Sequence, residues 1–156
     1  VAVEARRVEV GPGERFISDR LRRASLAFAA LTLAVVFTGT LVTASGPHAG
    51  DPDVVDRLGN IETAIRVHVR VTAVFGITLL GVVWYLRRVA PTSVRRIAYL
   101  LLGLVVAQAI VGETQWRNAL PWWLVLVHVA LAAAIWATTV WLVALLWRPP
   151  ASSIRT

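Results

Sequence analysis

Residues 121–147 read PWWLVLVHVALAAAIWATTVWLVALLW and contain no charged side chain. An apolar run of this length is sufficient for a helix that crosses the hydrocarbon core of a bilayer. Residues 21–45 form a second such stretch, uncharged beyond Arg23. Two further stretches, at about residues 60–86 and 94–112, have shorter uncharged parts and need their flanks to span. The sequence therefore predicts an all-α integral membrane four-helix bundle.

The composition agrees with one small membrane domain. The chain has 156 residues, 57% of them hydrophobic, and its mean hydropathy is +0.67. All 16 basic residues are arginines, and most lie between or outside the apolar stretches. That placement favours lipid headgroups over nucleic acid as the partner of the net charge of +7. The absence of cysteine excludes disulfides, thiolate catalysis and iron–sulfur clusters.

Arginine positions predict the orientation of the helices. Six arginines precede or open the first apolar stretch, four lie in residues 87–96 and two follow the last stretch. Such segments stay on the cytoplasmic side. We therefore expect a multi-pass protein of the cell membrane with both termini cytoplasmic. The predicted domains are an N-terminal tail or linker at residues 1–20, the membrane domain at 21–148 and a C-terminal tail at 149–156.

Two histidines lie inside apolar stretches at matching depths. His68 and His128 each follow the predicted start of a helix by about two turns, and each is the centre of a Val-His-Val tripeptide. Ionisable residues within a membrane mark functional sites by default. Two helices that run in the same direction would bring these imidazoles to one level, where they could hold the iron of a heme. Zinc usually requires three or four ligands.

Simpler roles remain open for these residues. An intramembrane histidine also occurs as a packed residue that is hydrogen-bonded to a neighbouring carbonyl or hydroxyl. Arg66 and Arg117, near the same end of the helices, are candidates to pair with heme propionates, or else they snorkel to headgroups. Ala64 and Ala132, one turn from the histidines, leave room for a flat ligand but equally suit helix packing.

The loop after the first helix holds the most specific string of the chain. It comprises Gly46, Pro47, His48, Gly50 and Asp51, with an alanine at position 49. Chemically it is a helix end followed by two glycine-containing turns. By chemistry alone, His48 is equally well explained as a solvated loop residue.

This string, the two helix histidines and the segment GETQW at residues 112–116 resemble the C-terminal half of the heme A synthase family. The resemblance covers residues 21–148. It implies a heme b ligated by His68 and His128, next to an amino-terminal half that holds the substrate heme O. The implied activity is oxidation of a heme O methyl group to the formyl group of heme A, which serves terminal oxidases.

The chain departs from the family in two respects. It lacks the cysteine pair that some members carry, and it lacks the amino-terminal half with its loop carboxylate. We expect it either to be half of a larger enzyme or to associate with itself, and heme O synthase and terminal oxidase assembly are the expected partners. Two alternatives are a small electron-transfer cytochrome b and a non-enzymatic assembly module whose histidines only pack.

Overall fold

The computed structural model describes residues 17–46 and 59–147. These residues form four long helices and contain no strand, which confirms the predicted fold class. The helices are α1 (Asp19–Ser45), α2 (Ile61–Val89), α3 (Thr92–Arg117) and α4 (Trp122–Trp147). Each is long and apolar enough to cross a membrane. Many of their large apolar side chains are exposed on the outside of the bundle, where lipid would cover them.

Three helices extend beyond their predicted limits. Helix α1 begins two residues earlier, at Asp19, because the Ser18 hydroxyl caps it by accepting from the amide of Leu21 at 3.3 Å. Helices α2 and α3 continue to Val89 and Arg117. The apolar pattern marks only the part of a helix that contacts hydrocarbon, so polar terminal turns escape it.

The four helices form a ring in which each contacts two neighbours. The closest packing joins α1 to α2 and α3 to α4, and looser contacts join α2 to α3 and α4 to α1. Within the described ranges, α1 does not contact α3, and α2 does not contact α4. Helices α2 and α4 are therefore diagonal partners that face each other across the bundle and run in the same direction.

The two ends of the bundle differ in character. We call the end with the α2–α3 turn the arginine end, and the opposite end the histidine end. The arginine end and the middle of the bundle contain nearly all of the buried apolar core. Phe28 and Phe75 stack there, with ring centroids 5.4 Å apart. Trp147 donates to the Ser25 hydroxyl at 3.2 Å and so ties α4 to α1. At the histidine end, Leu124 alone among the described apolar residues is fully buried.

An apolar groove of about 530 Å³ lies between α1, α2 and α4 at the arginine end. Its walls include Phe28, Gly81 and Leu142, and Tyr85 is the only ionisable residue among the described residues that line it. Neither membrane histidine contributes to it. The described walls of the groove therefore lack side chains that commonly ligate a metal. The candidate metal site lies at the histidine end.

Candidate metal centre

Helices α2 and α4 place the two histidines at the same level of the bundle. His68 lies seven residues after Ile61 and His128 six after Trp122, which is about 9–11 Å along each helix. Both imidazoles are half-buried. The valines on either side of each histidine are exposed, with fractions of 42% and 57% around His68 and 43% and 52% around His128. Each tripeptide thus turns its histidine inward and its valines outward.

A glycine on the neighbouring helix leaves space for each imidazole ring. A Cβ added at Gly39 of α1 would stand 3.2 Å from Cε1 of His68. A Cβ added at Gly112 of α3 would stand 3.1 Å from Cε1 of His128. Side chains larger than hydrogen would press on the rings at both positions. The pairs α1–α2 and α3–α4 therefore repeat one arrangement, in which a glycine of the first helix receives the histidine of the second.

The two histidines differ in their hydrogen bonds. Nδ1 of His68 lies 3.0 Å from the Thr38 hydroxyl, which comes from the other helix of its pair. Nδ1 of His128 is buried and has no hydrogen-bond partner among the residues that the structure describes.

Other polar atoms near the histidines are also buried without partners in the described part of the chain. They are Oγ1 of Thr72 and Oε1 of Gln108 and Gln115. Thr72 lies one turn beyond His68, and the two glutamines lie on the same face of α3 as Gly112. An unpartnered polar atom in a protein interior is costly. Together with Nδ1 of His128 they make four such atoms, spread over about one helical turn on either side of the histidine level, where a polar ligand or water would be stabilised.

The available donors suit a group that needs two protein ligands. No cluster of three or more His, Cys, Asp or Glu side chains capable of holding a metal occurs within residues 17–46 and 59–147. A zinc site of the usual kind needs at least three such ligands. Heme iron needs only two axial ligands, because the porphyrin supplies the other four donors. Two inward-facing imidazoles on diagonal helices match this number of protein ligands.

The predicted arginine partners lie on the surface of the histidine end. The Arg66 side chain is 59% exposed, and its guanidinium is 3.7 Å from the Glu62 carboxylate. The Arg117 side chain is 74% exposed and pairs with Glu113 at 2.6 Å. Both arginines thus contact carboxylates of their own helices. Their pairing with heme propionates stays a prediction.

The loop string falls largely outside the described residues. Gly46 is the C-cap of α1, and its amide donates to the Thr43 carbonyl at 3.2 Å. The other members of the string, Pro47, His48, Gly50 and Asp51, lie outside the described residues. The small residues Ala64 and Ala132 are half-buried, and their role beside a flat ligand stays a prediction.

No protein-family model, curated protein or solved structure matches this chain. The candidate site therefore rests on its own geometry. Sequence reasoning singled out both histidines, whose role as ligands stays a prediction, and overlooked Thr38, Gly39 and the unpartnered Gln108. Each of these carried a weak signal, since a glycine or polar residue inside an apolar helix has a specific role more often than a leucine does.

Proposed function

We propose that this chain holds one low-spin heme b between His68 and His128 in the cell membrane and uses it for electron transfer. The observation that carries the proposal is the pair of half-buried imidazoles at one level of two diagonal, co-directional helices. Bound heme would supply reversible one-electron transfer. The chain itself supplies two neutral nitrogen ligands, glycine surfaces beside them and an apolar bundle that limits the access of water.

Heme binding can be tested with single histidine substitutions. The chain would be purified in detergent from heme-producing cells, and its reduced pyridine hemochrome spectrum recorded. We expect one heme b per wild-type chain and loss of most of it in His68→Ala and in His128→Ala, because each removes an axial ligand. His48→Ala is the matched control and should retain the heme, since His48 lies outside the apolar stretches. Full heme retention in either membrane variant would rule out the ligand assignment.

We further propose that the chain is part of a heme A synthase-type oxidoreductase, in which His68 and His128 would hold the heme that exchanges electrons while an external oxidant oxidises the methyl group of heme O. The support is the resemblance of the loop string, of GETQW and of the two histidines. Oxidation of a heme methyl group needs a substrate heme in addition to the electron-transfer heme. One chain offers two membrane histidines, enough for one bis-histidine heme. A second four-helix unit, either another copy or a separate amino-terminal half, would hold the other.

The enzymatic proposal has its own test. The chain would be expressed with a heme O synthase in cells that lack heme A, and extracted hemes would be separated by chromatography. We expect no heme A from a strictly monomeric chain that carries one heme b. Co-expression of a second four-helix unit should restore heme A formation. Heme A made by the monomer would contradict the need for a second unit.

A further inference from the structure

The Thr38 hydroxyl is placed so that it can fix which nitrogen of His68 carries the proton. Its single hydrogen lies within reach of two carbonyl oxygens of its own helix, Ala34 at 2.9 Å and Val35 at 3.0 Å. Carbonyl oxygens only accept, so a hydroxyl proton directed toward them leaves an oxygen lone pair for His68. The hydroxyl then acts as an acceptor for Nδ1, which lies 3.0 Å away.

The hydroxyl acceptor on this side of the imidazole favours a proton on Nδ1 of His68. The lone pair is then on Nε2, the nitrogen that is free to bind a metal. In metal sites, a histidine that donates its other N–H in this way is held in orientation and becomes a stronger ligand.

His128 lacks an equivalent partner. Its ring lies against Gly112 as the His68 ring lies against Gly39, but its buried Nδ1 has no partner among the described residues. The residue before Gly39 is Thr38, whereas the residue before Gly112 is Val111. A valine has nearly the shape of a threonine but no hydroxyl. The repeat therefore preserves the packing of the two histidines and loses the hydrogen bond in one copy.

We propose that Thr38 is a positioning residue that accepts from Nδ1–H of His68 and presents Nε2 as the ligand, while Val111 leaves His128 without this support. Where it concerns iron, this inference rests on the proposed heme site. The two axial ligands are then unequal: His68 is the oriented and stronger donor, and His128 is the weaker one. This inequality lets one side of the heme be adjusted by a single side chain on α1.

The protonation state can be measured before any heme is added. Nitrogen-15 NMR of histidine-labelled apoprotein in detergent distinguishes the two neutral forms of each imidazole, and the His48→Ala and His128→Ala variants together assign the signals of the three histidines. We expect wild-type His68 to carry its proton on Nδ1, and Thr38→Val to lose this preference. Thr38→Ser, which keeps a hydroxyl, should behave as wild type. A Thr38→Val protein with an unchanged His68 signal would overturn the proposal.

The effect on the heme is measured by potentiometric titration and heme affinity. Thr38→Val should weaken heme binding about tenfold or more and raise the midpoint potential, because the weaker ligand stabilises ferric iron less. Val111→Thr should lower the potential by giving His128 an acceptor. Thr40→Val is the matched control, since the Thr40 hydroxyl donates to the Phe37 carbonyl of its own helix at 2.7 Å and bonds to neither histidine among the described residues.

The outcomes separate this inference from the heme proposal. Suppose that Thr38→Val and Val111→Thr both bind heme with the midpoint potential and the heme affinity of the wild type. That result would refute the proposed difference between the two ligands, and the heme proposal itself would stand. A wild-type chain that binds no heme would refute the proposed function. The NMR measurement would still decide the role of Thr38 in that case, and Val111→Thr remains informative if Thr38→Val fails to fold.

Discussion

Gly39 and Gly112 let the histidine rings approach the neighbouring helices as closely as they do. A glycine in a helix interior costs stability, by about 0.5–1 kcal/mol relative to alanine. At these two positions glycine leaves the space that each histidine ring occupies, since an added Cβ would lie 3.2 Å and 3.1 Å from ring carbons. Gly76 and Gly103 have open space instead, with no atom within 4 Å of an added Cβ. The same substitution should therefore act in opposite directions at the two kinds of site.

We expect Gly39→Ala and Gly112→Ala to lower heme occupancy, because the methyl group displaces the ligand ring by a few tenths of an ångström. Gly76→Ala and Gly103→Ala should leave occupancy unchanged and stabilise their helices by roughly 0.5–1 kcal/mol. Heme content per chain and thermal unfolding in detergent measure the two effects. Wild-type heme content in both Gly39→Ala and Gly112→Ala would show that the rings have room to move and that these glycines do not shape the site.

At the scale of the helices, the sequence predicted the presence of the four helices better than the residues at which each begins and ends. Four apolar stretches predicted four helices because a bilayer leaves few alternatives to a spanning helix. The ends differed where polar contacts continue a helix beyond its apolar part, as the pairing of Glu113 with Arg117 does in the last turn of α3. Hydropathy carries no information on such turns, whereas capping residues such as Ser18 and Asn60 do.

The partners of the histidines were beyond the reach of the sequence pattern. The rings were expected to face inward because an imidazole avoids lipid. Thr38, however, meets His68 across 30 positions of the chain. That contact depends on the rotation of α1 about its own axis and on its shift along α2. An apolar stretch is similar on all of its faces, so the sequence specifies neither the rotation nor the shift. In both helix pairs, α1–α2 and α3–α4, a glycine of the first helix contacts a histidine of the second. This repeat is recognisable only when the register of the helices is known.

For the whole molecule, the distribution of charge predicts how the bundle is inserted. Twelve of the 16 arginines belong to the N-terminal segment, to residues 87–96 and to the C-terminal segment. Along the chain these segments lead into α1, join α2 to α3 and follow α4, and those helix termini form the arginine end. In the described part of the histidine end, Arg66 and Arg117 are each paired with a carboxylate, that of Glu62 or Glu113. Positively charged segments resist translocation. The arginine end should therefore face the cytoplasm, and the histidines should lie nearer the opposite surface.

Single cysteines can test this orientation without background, because the native chain contains none. Ser93 is exposed at the start of α3, at the arginine end, and Asn118 is exposed in the turn between α3 and α4, at the histidine end. In intact cells, a membrane-impermeant thiol reagent should label Asn118→Cys strongly and Ser93→Cys only after permeabilisation. The reverse pattern would place the histidines near the cytoplasmic surface, so that any electron donor to a heme at this level would have to approach from that side.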